Sequence, residues 1–114
     1  MSNEEILLVG FSQGAMLATY YGLKSKNNLA GIISLSGGLP KEIFQDLDFI
    51  NTSQNYSIIH GKSDSVVPYQ RSVDLSQFLN DKNILNNITL QENQEHGINE
   101  DAIKIIQTKV ALLL

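Results

Sequence analysis

Apolar residues fall along this chain in four short runs, each stopped by glycine or by a cluster of polar residues. Ile6 to Val9 is continuously apolar, with Glu4 and Glu5 before it and Gly10 after it. Such a run, too short for a helix, reads as a strand buried on both faces, as in a parallel sheet. Ile32 to Leu35 is a second strand, ended by Ser36-Gly37-Gly38-Leu39-Pro40, a strong chain breaker. Tyr56 to Ile59 is a third, ended by His60-Gly61, and Asn87 to Leu90 or Gln91 a fourth.

Between the strands the period changes from two to 3.6. From Gly14 to about Lys26, Ala15, Ala18 and Gly22 form a small-residue stripe, with Leu17, Tyr20 and Tyr21 beside it. That spacing predicts a helix able to lie close on a sheet, stopped by Asn27-Asn28. Ile43, Phe44, Leu47 and Ile50 share one face of a short helical region. Leu75, Phe78 and Leu79 predict a helix from Tyr69 to about Lys82. Ala102, Ile106, Val110 and Leu113 line one face of a last helix from about Asn99. Strands alternating with helices predict an α/β domain over residues 1–114, with about four parallel strands and flanking helices. Parallel strands gather their carboxyl ends on one rim, where α/β proteins place their chemistry. Ser12, Ser36, Gly37, His60, Asp64 and His96 all follow strands.

Composition narrows the options. The 114 residues include 42% hydrophobic and 18% charged positions, an ordinary globular balance. The net charge is -4 and the eight Lys and Arg are scattered, which argues against a nucleic-acid partner. With no cysteine and only two histidines, neither a disulfide framework nor a multi-histidine metal site is expected, and a reducing, cytoplasmic setting fits. The first residues lack the basic start of a signal peptide, and no apolar stretch is long enough for a membrane span.

Gly10-Phe11-Ser12-Gln13-Gly14 fits the pattern G-x-S-x-G. A chain of this length holds that pattern by chance with probability of roughly 0.05, so the strand before it and the helix after it carry the argument. A serine held in a sharp strand-to-helix turn is lifted above the sheet, and glycines two before and two after it avoid collision. The helix that starts there points its positive end at any oxyanion formed on the substrate. A serine nucleophile needs a base, and the base needs an orienter. In this fold class they follow the serine in the order carboxylate, then histidine. Asp64 and His96 meet that order. The expected roles are Ser12 as nucleophile, His96 as general base and acid, and Asp64 as the group fixing the imidazole. His60 is read as structural. Asp46, Asp48, Asp74, Asp81 and Asp101 are read as solvated, with only the 41–50 segment able to bring another carboxylate to the site.

These residues resemble the phospholipase/carboxylesterase family of α/β-hydrolases, which includes the acyl-protein thioesterases. The matching pieces are Gly10–Ala15, Ala30–Gly37, His60-Gly61 with Asp64 and Val67-Pro68, and His96-Gly97-Ile98, in the family's order. The resemblance implies cofactor-free and metal-free hydrolysis of a small-molecule ester or acyl thioester. It implies Ser12, Asp64 and His96 as the triad and the Gln13 backbone N–H as an oxyanion donor. It places Phe11, Leu39, Pro40 and Val67 around the acyl group.

The family's chain is about twice as long. Its first half supplies further strands and a His-Gly-rich loop with the second oxyanion donor, and nothing in these 114 residues resembles that loop. The expectation is therefore a C-terminal half, with the N-terminal half absent and one side of the nucleophile strand open. Burial should then fall short of an ordinary domain. The chain should be marginal, or pair through that edge with the missing half or with itself. The alternative to an active hydrolase is an incompetent remnant acting at most as a pairing fragment.

Overall fold

The computed structural model describes residues 5–45 and 47–112. Four strands, β1 (Leu7–Phe11), β2 (Gly31–Leu35), β3 (Tyr56–Gly61) and β4 (Asn86–Gln91), alternate with four helices. These are α1 (Gln13–Lys24), α2 (Lys41–Phe44), α3 (Gln70–Asp81) and α4 (Glu100–Ala111). The strands form one parallel sheet in the order β1-β2-β3-β4, with Gly10 beside Ser34, Ser34 beside Ile58 and Ile58 beside Ile88. All four carboxyl ends therefore lie on one rim.

Alternate residues of β2 and β3 point to opposite faces, which is why both strands are mostly apolar. On one face Ile32, Tyr56 and Ile58 pack with Ala18 and Leu23 of α1 and Leu75 and Leu79 of α3. On the other, Ile33, Leu35 and Ile59 pack with Ala102, Ile105 and Ile106 of α4. The small-residue stripe of α1 works as expected: Ala15, Ala18 and Gly22 are buried. The segment after β2 differs, because only Lys41–Phe44 is helical. Leu47 and Ile50 still reach the core, from irregular chain, and Asp46 lies outside the described residues. In α4 the apolar face turns through Ile105 and Ile106, leaving Val110 largely exposed. Leu113 lies outside the described residues.

β1 departs from the expected strand buried on both faces. It is an edge strand, paired only with β2, and α4 reaches Leu7 but no further along it. Val9 is 43% and Phe11 37% exposed, and across α1 Leu17 and Tyr21 are 70% and 47% exposed. The expected overall shortfall in burial is not found. The accessible surface is 6497 Å², against roughly 6200 Å² for an ordinary folded chain of 12.6 kDa. The bareness is local: the two central strands are covered, whereas the outer side of β1 and α1 is exposed and β4, the opposite edge, is mostly half-buried. No helix among the described residues is long and apolar enough to cross a membrane.

Candidate active site

Ser12 sits between β1 and α1 with φ 56° and ψ -118°, a backbone region that non-glycine residues rarely enter. Its N–H donates to the Leu35 carbonyl at 2.8 Å, and its carbonyl accepts from Ala15 and Met16, opening the helix. The strain is thus held by β2 on one side and by α1 on the other. Gly10 allows the tight turn, because a Cβ there would drive into the Gly14 carbonyl group. Gly14 itself differs from expectation: a Cβ on it would meet nothing within 4 Å. It faces a groove of about 640 Å³ that runs along β1 past Val9, Phe11, Leu17 and Tyr21.

The loops after β3 and β4 bring the other two side chains to the same rim. Lys62 N–H donates to the Gln91 carbonyl and Ser63 N–H to the Gln94 carbonyl. Gly61 permits this approach, since a Cβ there would strike the Gln94 carbonyl. Asn99 holds the second loop from its far end. Its Oδ1 accepts from the Ala102 N–H as the cap of α4 and from the Gln91 side chain, while its amide donates to Gln94. Acidic Glu100 and Asp101 in the first turn complete an ordinary helix start.

The result is a continuous hydrogen-bonded chain. Ser12 Oγ lies 3.1 Å from His96 Nε2, and His96 Nδ1 lies 2.7 Å from Asp64 Oδ2. A carboxylate only accepts, so Nδ1 carries the hydrogen and Nε2 is left to accept from the Ser12 hydroxyl. Asp64 is buried, and its Oδ1 accepts from the N–H groups of Val66 and Val67 at 2.9 and 2.8 Å. Burial by itself raises the Asp64 pKa. The hydrogen bond from His96, those from Val67 and Val66, and the His96 charge together outweigh it and hold the carboxyl below its ordinary range. The Phe11 ring lies 4.9 Å from the imidazole, tilted by 40°, and shields one side of it.

Gln13 opens α1, where the first N–H groups have no carbonyl behind them. Leu39 is buried in the core and also walls a groove of about 440 Å³ with Gln13, Met16, Leu17, Tyr20 and Ile43. Pro40 is half-buried at the start of α2. Val67 turns its side chain inward and serves Asp64 through its main chain, so it is not an open wall. Several other carboxylates among the described residues have partners of their own. Asp48 pairs with Lys24, and Asp74 with Gln70 and, at 3.8 Å, with Lys41. Asp81 accepts from Gln77.

Sequence reasoning did not find Gly61, Asn99 or Ser72 as supports of this rim. Asn99 was readable as a helix cap three residues before Ala102, followed by two acids. The role of Gly61 was not, because it depends on a loop thirty residues later.

Known proteins resemble this chain in sequence and fold. Acyl-protein thioesterase 1 homolog 1 of Dictyostelium discoideum is 40% identical over 68 residues, covering 59% of this chain and 30% of that protein. Acyl-protein thioesterase 1 of Saccharomyces cerevisiae is 35% identical over 80 residues, covering 68% of this chain and 35% of that protein. The crystal structure of esterase PE8 superposes with a TM-score of 0.88 at 30% identity, covering all of this chain and 53% of its own. A phospholipase/carboxylesterase from Dyadobacter fermentans gives a TM-score of 0.79 at 27% identity, covering 97% of this chain and 54% of that one. The sheet and its helices are thus part of an α/β-hydrolase fold, and the chain spans about half the length of these solved esterases and about a third of the curated relatives. The model of the family described as Phospholipase/Carboxylesterase matches residues 1–114, and the chain belongs to that family.

Proposed function

We propose that these residues form the reacting part of a serine hydrolase that cleaves carboxylic esters or acyl thioesters. The observation that carries this reading is the unbroken chain Ser12 Oγ to His96 Nε2 at 3.1 Å and His96 Nδ1 to Asp64 Oδ2 at 2.7 Å. In it Ser12 Oγ bonds to the acyl carbon while its proton passes to His96 Nε2. The carbonyl oxygen becomes an oxyanion facing the Gln13 N–H and the positive end of α1. The intermediate collapses by breaking the bond to the alcohol or thiol, which leaves with the proton from His96. Water then repeats the sequence on the acyl-serine and frees the acid. Asp64 stays ionised and holds the imidazolium. The groove bordered by Met16, Leu17, Leu39 and Ile43 supports a small to medium apolar acyl group. The names of the relatives, acyl-protein thioesterase and esterase, agree with this chemistry. The cysteine-free composition supports a reducing compartment such as the cytoplasm.

A fluorophosphonate probe tests this reading. It should label the wild type and not Ser12→Ala. Equal labelling of both proteins, or of neither, would overturn it; the second outcome supports an incompetent remnant instead.

The bare β1 edge supports a companion reading, that the site is completed by pairing. Its occupant is a strand from polypeptide corresponding to the half of esterase PE8 that this chain does not match. A second oxyanion donor supplied in this way is worth on the order of 10²–10³ in rate. Supplying the upstream portion of a family esterase as a separate polypeptide should give a complex by sedimentation and faster labelling. A chain that stays monomeric beside it, or labels no faster, rules the pairing out.

A further inference from the structure

His60, near the end of β3, is fully buried. Its Nε2 lies 2.8 Å from the Val67 carbonyl oxygen and 3.1 Å from Asp64 Oδ2, and its Nδ1 lies 2.6 Å from Ser72 Oγ. A carbonyl oxygen only accepts, so the hydrogen sits on Nε2 and is donated to Val67, with Asp64 Oδ2 in contact beside it. In the neutral ring Nδ1 then accepts the Ser72 hydroxyl. Asp64 Oδ2 thus accepts the His96 N–H in front and rests against the edge of the His60 ring behind. Oδ1 receives the two backbone N–H groups already described. With donors on both oxygens, the plane of the carboxylate is fixed.

We propose that His60, held by Ser72, is a positioning residue that clamps the Asp64 oxygen on which His96 is aimed. The proposal rests on the hydrolase reading above. Any buried histidine needs a partner on each nitrogen; the contact to Oδ2 is over and above those two. Ser72 is buried on α3, so the clamp ties a helix on one face of the sheet to the loop that carries Asp64. The other charged groups of these two loops do not compete with it. Lys62 and Glu92 pair with each other at 2.7 Å, and Glu95 is exposed.

Removing the His60 ring leaves the charge on Oδ2 facing His96 alone. His96 should then hold its proton more tightly, and its titration midpoint should move up. The test uses the 114-residue chain with His60→Leu, His60→Gln and Ser72→Ala. Two readouts are followed: the fluorophosphonate labelling rate against pH, and the His96 ring titration by NMR. His60→Leu should lower the rate by about 10–100-fold, the usual loss when a residue that orients a reacting group is removed. The rising limb of its pH profile should move up with the His96 midpoint. His60→Gln, whose amide can reach the same acceptors, should recover most of the rate, and Ser72→Ala should fall between. A folded His60→Leu with the wild-type midpoint and rate overturns the proposal. If His60→Leu does not fold, Ser72→Ala decides: a lower rate and a raised midpoint support the clamp, and wild-type behaviour overturns it. Failure of the wild type to label sinks the hydrolase reading alone, because the NMR midpoints still report whether His60 acts on His96.

Discussion

A methyl group on Gly10 would drive into the backbone of Gly14, whereas a methyl group on Gly14 would meet nothing. The two glycines of one short motif therefore do different things in this chain. Gly10→Ala should destabilise by about 1–3 kcal/mol through forced backbone movement. Gly14→Ala, in the first turn of α1, should stabilise by about 0.4–1 kcal/mol, because alanine loses less freedom on folding. Urea unfolding of both variants checks this. Equal losses would mean that something does cover Gly14, such as a second copy of the chain.

Ser12 is held at φ 56°, where any side chain is strained. Ser12→Ala and Ser12→Gly both remove the hydroxyl, but only glycine relieves the backbone. Ser12→Gly should be more stable than Ser12→Ala by about 1 kcal/mol, with no labelling in either. If Ser12→Ala is the more stable, the turn is not strained in solution.

The Asp64 carboxyl is held below its ordinary pKa in the folded chain, burial being outweighed by its donors. The unfolded chain therefore takes up this proton first as pH falls. Its contribution to stability is whole above the unfolded value of about 3.9 and is lost as pH drops through the lower folded value. Wild-type stability should fall more steeply with acid in that window than that of Asp64→Asn. Parallel pH profiles would show that Asp64 carries no such linkage.

Thr19 in α1 buries its hydroxyl without a partner. A buried unsatisfied donor is costly, and a same-shaped apolar replacement removes the cost. Thr19→Val should stabilise by about 1 kcal/mol. Thr108→Val, where the hydroxyl donates to the Lys104 carbonyl on an exposed surface, should stay within about 0.5 kcal/mol of wild type. Thermal denaturation of the pair separates the two cases, and a destabilised Thr19→Val would imply a water or partner at that hydroxyl.

Gly61 lets the β3 and β4 loops touch, so Gly61→Ala should push the Gln94 carbonyl away and carry His96 with it. Labelling of Ser12 should fall by about tenfold or more, since small displacements of reacting groups are expensive. Retained labelling with a wild-type melting profile would show that the loops can part without moving the imidazole.

The sequence by itself determined the alternation of strands and helices. It also determined the turn at Ser12 and the chain order of Ser12, Asp64 and His96. These are local matters: runs such as Tyr56–Ile59 are apolar because both of their faces are covered, and a breaker must stand where a strand ends. The short length of α2, the turn of α4 onto Ile105 and the exposure of Val9 and Phe11 were decided only by the tertiary structure. So were the freedom of Gly14 and the meeting of His60 with Asp64. Each depends on which surface lies opposite, and a residue's own neighbours in the chain do not carry that information. His60 shows the division best. Its place at a strand end is written in the sequence, but its contact with the oxygen that His96 uses comes from the loop after β3 and from α3 closing around its ring.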